Sequence, residues 1–569
     1  MKRVLILLLC LCSVCAEAAA DSLRIKQLQR CGDLVGDGQQ QWCLRAEGLG
    51  AQLPTVWLGG ARLPTADFER QGDRLTLKLA KQALRSAPLW LEDGERTSNP
   101  VWLTRQRSHV VAAGPDEVAK NMDGLTTYVD LVSLLIEEKH DGLGEARRIA
   151  GKYGAQVVGA IPPLNVYQLR LPVGDLVQRD AMILRMGSEV SVDAVIVEES
   201  APERGEEGGG REQAAIVQAD EWAANRFMDA LYFYQRRIAA SAVPVQPVRV
   251  GVIERDLDFD APAFESYRGR CDTGRTCLYG RDGGRPTSHG SHVAGILAAQ
   301  GDGFLPGLGK QNPGFDVIVE RNSDAGITAN IAASVNLVED GARVLNWSWG
   351  IHRVGAKNVK GDEVDSLVRS GLAMSGYEEL LEEFFLWLRA KHPDVVVVNS
   401  AGNGASWSGT DEYRLPSSFI TEQLLVVGGH QRSDRPVPVA DPRHVRKRHS
   451  SNIDMRVDIS AAACIRPSPA AEPHCGTSYA TPLVTATVAT MLAINPALTP
   501  QQVRMLLRRS ALTLGPEQDF EAMDAEDLTA PILPSERNGQ LHHPDLGRSA
   551  RLDMQRALDL AVQSRDRVR

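Results

Sequence analysis

Gly476-Thr477-Ser478-Tyr479-Ala480-Thr481-Pro482 is the stretch on which the reading of this chain turns, and it runs straight into the apolar residues Leu483 to Ile494. The apolar run is long enough for a helix, and the glycine and hydroxyl residues ahead of it mark a helix start. A serine there sits at the positive end of the helix dipole. Taken alone, a Thr-Ser pair in that position reads as an N-cap. The other reading is a nucleophile. Serine is a weak nucleophile unless a base takes its proton, and peptide hydrolysis also needs donors for the developing oxyanion. The two readings divide on whether the chain supplies a base, a group that orients the base, and an amide donor.

Candidates for all three lie upstream. His289 opens the run His289-Gly290-Ser291-His292-Val293-Ala294-Gly295 at the start of a helical stretch, His289 to Gln300. Asn403, in Ser400-Ala401-Gly402-Asn403-Gly404, follows the buried-type strand Val395 to Asn399. Ser348-Trp349-Gly350 follows a second such strand, Val344 to Trp347. A third, Val248 to Ile253, ends at Glu254-Arg255-Asp256-Leu257-Asp258. Each piece has a bland reading by itself: a lone histidine is more often structural, and Asn-Gly is a common turn.

Together the strings resemble the motifs of subtilisin-like serine proteases: Gly-Thr-Ser-Met-Ala-x-Pro around the nucleophile, His-Gly-Thr-His-Val-Ala-Gly around the base, and Val-Ala-Val-Ile-Asp-x-Gly-Ile-Asp around the orienting acid. The order acid, histidine, serine is that of subtilisin. The resemblance spans roughly Trp222 to Val562. It implies an acyl-enzyme on Ser478, with His289 as general base and Asn403 as oxyanion donor. It also implies that Ser348, Trp349, Gly350 and Gly402 line the substrate, with backbone pairing as an added strand. His292, on the helix, reads as a packing residue.

The chain departs from the family pattern at three places. Tyr479 replaces the usual Met, and Trp349 the usual Leu. Glu254 stands where the orienting aspartate belongs, with the same charge and one more methylene. Asp256 and Asp258 are the alternatives; Asp256 shares the face of Glu254 under strand alternation. The expected function is therefore a serine endopeptidase acting on polypeptides. The runner-up is a catalytically impaired protease-like fold that binds peptides or proteins; an acidic-pH protease with a glutamate base fits poorly with an intact His289 string. Gly404, beside Asn403, places no charge there and points to an uncharged substrate preference.

The expected fold is α/β, a subtilisin-like parallel sheet flanked by helices over residues 214–569, because strands alternate there with helical stretches. Residues 512–546 read as an irregular insertion before a last helix, Leu552 to Val562. Residues 21–110 read as short strands between Gly, Asp and Asn turns, and VWLGGARLP, DRLTLKL and SNPVWLT resemble small immunoglobulin-like domains. Residues 126–198 read as a small αβ domain. Apolar residues from Leu131 to Tyr153 recur at helical spacing with a break near Gly142. Strands follow at Ala155 to Val158 and Val166 to Leu171, then a helix at Gly174 to Met186 and a strand at Val190 to Val197. That order of elements resembles the inhibitory propeptide of the same protease family. Residues 199–213, rich in Gly and charge, read as an exposed linker open to cleavage.

Lys2 and Arg3, the apolar run Val4 to Cys15 and Ala18-Ala19-Ala20 read as a signal peptide over residues 1–20. The protein is accordingly expected to be secreted or periplasmic, with no membrane association after cleavage. Six of the nine cysteines lie outside the leader, as the close pairs Cys31/Cys43, Cys271/Cys277 and Cys464/Cys475. Local pairing is the simplest of the fifteen connectivities, and three disulfides suit an oxidising compartment. A net charge of −9 gives no reason to expect nucleic acid. No cofactor or metal is identified: His542-His543-Pro544-Asp545 lacks a third ligand, and structural calcium enters only through the family resemblance. The basic run Arg443 to His449 reads as a solvated loop.

Overall fold

The computed structural model describes residues 22–32, 40–79, 85–122, 125–200, 219–238, 245–254, 257–269, 271, 274–280, 288–301, 303–308, 314–320, 326–352, 370–403, 414–433, 435–448, 451–452, 457–465, 473–514 and 550–566. The leader, most of the linker, Asp256, Gly404, the 515–546 part of the insertion and the His542 cluster lie outside these residues.

Alternation of apolar and polar residues builds the N-terminal unit. One antiparallel sheet has the order Arg24–Cys31, Gln40–Glu47, Arg74–Leu79, Phe68–Gln71. The second is centred on Ala87–Asp93 with Thr55–Leu58. Inward-facing Ile25, Leu44 and Leu77 from one sheet and Val56, Leu89 and Val101 from the other share one core. The Leu-Gly-Gly turn closes the hairpin between Thr55–Leu58 and Ala61–Arg62. Gly59 and Gly60 both have positive φ there, +59° and +82°, the backbone that such two-residue hairpin turns require.

The second unit corrects one expectation. Leu131–Ile136 is a strand, buried along its whole length, and only Gly142–Tyr153 is helical. A six-residue apolar run fits either period, and here its length and bounding turn decide for a strand. The unit runs Leu131–Ile136, helix Gly142–Tyr153, Gln156–Ile161, Val166–Arg170, helix Leu176–Met186, Val192–Ile196. Its antiparallel sheet has the order Gln156–Ile161, Val166–Arg170, Leu131–Ile136, Val192–Ile196. This is the split βαβ arrangement, with two helices on one face. Strand pairing also extends beyond residue 198. Glu199–Ser200 pairs with Thr126–Tyr128, and Glu199 is buried, so the exposed linker cannot begin at 199.

The third unit holds a ten-stranded sheet with the order Cys277–Tyr279, Phe315–Glu320, Val248–Ile253, Ala342–Trp347, Val396–Ser400, Leu424–Arg432, Ile459–Ala462, Ala550–Arg551, Leu512–Thr513, with Val445–Lys447 beside Leu424–Arg432. Its inner pairs are all parallel. The strands are continuous apolar runs because helices cover both faces. Helices Gly326–Glu339 and Gly371–Lys391 belong to one core, and Ser288–Ala298, Thr477–Ile494 and Met554–Asp566 to the other. Thr477–Ile494 is apolar all round because it is buried all round. Among the described residues it alone is long and apolar enough to cross a membrane, and it is instead the central core helix.

The units are joined by specific contacts. Trp102 donates from Nε1 to Asp340 (2.8 Å), Gln106 donates to the other Asp340 oxygen (2.8 Å), and Ser108 and Asn336 exchange two hydrogen bonds. Three disulfides are present: Cys31–Cys43, Cys271–Cys277 and Cys464–Cys475.

Candidate active site

In a parallel sheet the functional face lies beyond the carboxyl ends of the strands. Three adjacent strands, Val248–Ile253, Ala342–Trp347 and Val396–Ser400, end there in Glu254, Ser348-Trp349-Gly350 and Ala401-Gly402-Asn403.

Glu254 reaches His289, which stands in the first turn of helix Ser288–Ala298. One Glu254 carboxylate oxygen lies 3.0 Å from His289 Nδ1. The Glu254 side chain is 8% exposed and that of His289 38%. A carboxylate is acceptor-only, so Nδ1 carries the hydrogen and Nε2 is left as the basic nitrogen. Asp258 is engaged elsewhere. Its carboxylate accepts the Asp260 N–H (3.0 Å), and its own N–H donates to Ser291 Oγ (3.0 Å).

Ser478 is the second residue of helix Thr477–Ile494. Its Oγ donates to the Ser348 carbonyl at 3.2 Å, and Ser348 Oγ donates to the Ser478 carbonyl at 2.9 Å. The second bond follows from Pro482. A helix carbonyl normally accepts from the N–H four residues on, but proline has none, so the Ser478 carbonyl needs another donor. Asn346 holds Ser348 Oγ (3.0 Å) and is itself held by Thr485 (2.8 Å). Asn399 donates to the carbonyls of Trp347 and Trp349, at 2.8 and 2.9 Å, and so fixes the Ser348–Gly350 backbone.

Asn403 lies over the start of the same helix. Its Oδ1 accepts from Thr477 N (2.9 Å), Thr477 Oγ1 (3.3 Å) and Arg448 (3.2 Å). The backbone N–H and the guanidinium can only donate, so the amide orientation is determined, and the NH2 end is the donor. Tyr479 packs its ring 5.6 Å from that of His289 and 6.0 Å from that of His292. His292 is buried, and burial, helped by His474 and His289, pushes its pKa down to about 4. It is a neutral packing residue near pH 7.

The residues unseen in the sequence are Asn346, Asn399, Arg448 and Arg414. The two asparagines left a trace: each is a polar residue inside an otherwise apolar strand. Arg448 lies in the basic run read as a solvated loop; part of that run is instead the strand Val445–Lys447, and Arg448 reaches Asn403. Arg414 left no trace.

The model of the subtilase family matches residues 250–543, just over half of the chain. The chain belongs to the subtilase family. Its subtilase relatives include a probable subtilase-type serine protease of Deinococcus radiodurans, 23% identical over 433 residues, which covers 71% of this chain and 55% of the relative. The cell wall-associated protease of Bacillus subtilis is 27% identical over 288 residues, covering 48% and 27%. The extracellular serine protease of Serratia marcescens is 30% identical over 162 residues, covering 27% and 14%. The chain thus spans about half or less of the length of these relatives. Among solved structures, the epidermin leader peptide processing serine protease of Staphylococcus aureus superposes with a TM-score of 0.47 at 16% identity, covering 76% of this chain and 98% of that one. Fervidolysin from Fervidobacterium pennivorans gives 0.44 at 16% identity, covering 81% and 64%. No three His, Cys, Asp or Glu side chains gather into a metal-holding group among the described residues.

Proposed function

We propose that this subtilase is an exported serine endopeptidase that cleaves peptide bonds through an acyl-enzyme on Ser478. The observation that carries the reading is the 3.0 Å contact between Glu254 and His289 Nδ1. It gives the base the tautomer that catalysis needs. A peptide laid along Ser348–Gly350 brings an N–H to the Ser348 carbonyl, which frees the Ser478 hydroxyl to turn to His289 Nε2. Nε2 takes the proton as Oγ attacks, and the negative oxygen forms beside the Asn403 NH2 and the Ser478 N–H in the first helical turn. His289 then gives the proton to the leaving amine, and water repeats the sequence to release the acyl group. The binding-module alternative drew its support from Glu254 as a decayed aspartate; a glutamate in contact with His289 removes that support.

The αβ unit is proposed as an inhibitory propeptide. In support, Glu198 accepts from the N–H (2.9 Å) and hydroxyl of Thr328 at the start of helix Gly326–Glu339, and Glu199 accepts from the N–H and hydroxyl of Ser370 at the start of helix Gly371–Lys391 (3.0 and 2.9 Å). Carboxylates at helix starts satisfy orphan N–H groups and oppose the dipole. Gly326 has φ +68°, and a Cβ there would meet the Glu198 carboxylate at 2.3 Å. Of the range Glu198 to Gln213, we propose that maturation cleavage falls beyond Ser200; in support, Glu198 and Glu199 are withdrawn from solvent. Export is supported by the leader, by three disulfides and by relatives named extracellular or cell wall-associated.

The test is fluorophosphonate labelling of the purified protein, with Ser478→Ala as control. Wild type should label and hydrolyse casein, and the variant should lose about 10⁶ of turnover. Absence of labelling at neutral pH would favour a binding module. N-terminal sequencing of the secreted form reads the maturation site; a start near Asp21 would remove the propeptide role.

A further inference from the structure

Arg414 is a buried guanidinium at the candidate site with no acid beside it among the described residues. The residue is 4% exposed. Its Nη1 donates to Asn399 Oδ1 (3.4 Å), the Ser400 carbonyl and Ser417 Oγ (3.3 Å), and its Nη2 donates to Ser400 Oγ (3.0 Å). All four acceptors are neutral. Burial lowers its pKa to about 9, so it remains a cation at neutral pH. A charge withdrawn from water without a counter-charge costs several kcal/mol, on the order of the penalty for a lone buried ion. Such an arrangement calls for a partner that arrives from outside.

The side chain is threaded between the two segments assigned to substrate. A Cβ on Gly350 would lie 2.1 Å from Arg414 Cζ, 2.3 Å from Nη2 and 2.6 Å from Nε; a Cβ on Gly402, where φ is +100°, would lie 2.5 Å from Cδ. Only glycine leaves room for the guanidinium at either place. The five N–H groups of arginine form a fork whose Nε/Nη2 edge matches a carboxylate with two parallel bonds. In Arg414 that edge is the under-used one: Nε and one Nη2 hydrogen have no acceptor among the described residues, while Gly350 lies over the face of the guanidinium, nearest Cζ.

Resting on the reading of Ser478 as nucleophile, the attacked carbonyl lies at Ser478 Oγ with its oxygen beside Asn403. The residue that owns that carbonyl then lies between the Gly350 segment and the Gly402 segment. We propose that Arg414 is the specificity-determining residue of this site and selects aspartate or glutamate on the acyl side of the scissile bond. Selection of an acid differs from the uncharged preference read from Gly404, because the deciding charge would come from Arg414, ten residues further along the chain.

The experiment is a matched series of fluorogenic peptides that differ only at that residue: Glu, Asp, Gln, Asn, Ala and Leu. Wild type should favour Glu over Gln and Asp over Asn by about 10² in kcat/KM, the size expected of a desolvated charge-assisted pair. In Arg414→Gln and Arg414→Met the acid-to-amide ratio should fall to about 1; the ratio, not the absolute rate, is read. Arg414→Lys, which keeps the charge and loses the fork, should fall between. A wild type that cleaves after Ala and shows no preference for acid over amide overturns the proposal, and makes Arg414 a plug that admits small residues. A strong acid preference that survives Arg414→Met also overturns it. Binding of the same peptides to Ser478→Ala, measured by fluorescence anisotropy, separates the two claims. If wild type neither labels with fluorophosphonate nor hydrolyses, the endopeptidase reading fails. Acid-selective binding lost in the Arg414 variants would still support the role of Arg414, and binding blind to the acid would sink it.

Discussion

Glu254 and Arg414 are both charged groups withdrawn from water at one face of the sheet, but the chain treats them differently. Glu254 has its counter-group built in, His289 at 3.0 Å. Among the described residues Arg414 has only neutral acceptors. The difference separates two uses of a buried charge. A charge partnered by its own chain orients a group that works the same way on every substrate. A charge left without an ion partner discriminates among ligands, because only some of them bring the partner.

This contrast can be broken. The largest effect expected is for Glu254→Ala, which should lower kcat by about 10⁴, the size seen when the orienting aspartate of subtilisin is removed. It should lower the rate for acidic and neutral peptides alike. A change in their ratio would mean that Glu254 takes part in selection and would abolish the distinction. Asn403→Ala should cost about 10²–10³ in kcat with KM little changed, the loss known for this donor in subtilisin. An unchanged kcat would deny Asn403 the oxyanion. The smallest effect concerns His292, a titratable group that the fold keeps neutral. Its folded pKa of about 4 lies below the ordinary 6.5, so on acidification the unfolded chain takes up the proton first. The stability it contributes above pH 6.5 is lost as the pH falls from about 6.5 to 4, by up to about 3 kcal/mol. His292→Gln should flatten the decline of Tm across that window. A decline of unchanged steepness would show that other groups set it.

How much of this was legible in the sequence differs residue by residue. The apolar strand Val248–Ile253 fixed the register that put Glu254 against His289, and the structure keeps that strand at the same residues. The helix starts that carry His289 and Ser478 were legible because a helix start leaves a local signature, here glycine and hydroxyl residues ahead of an apolar run. The strand Leu131–Ile136 was not, because short apolar runs satisfy helix and strand periods equally. Arg414 was invisible. Its neighbours Tyr413 and Leu415 carry no pattern, and its meaning arises only when folding brings it against Gly350 and Gly402. The bond from Ser348 to the Ser478 carbonyl was invisible as such, although its cause, Pro482, stands in the opening heptapeptide.

That proline has a consequence for how the site keeps its dimensions. Beneath Ser478 the helix is missing a rung of its own ladder, and the end of the strand Ala342–Trp347 supplies it through Ser348. Ser478 is thus gauged from the sheet rather than from the helix that carries it. Glu254, Ser348 and Asn403 follow three neighbouring strands, so the ruler of the site is the inter-strand spacing, about 4.8 Å. A one-residue slip of any of the three strands would take the site apart.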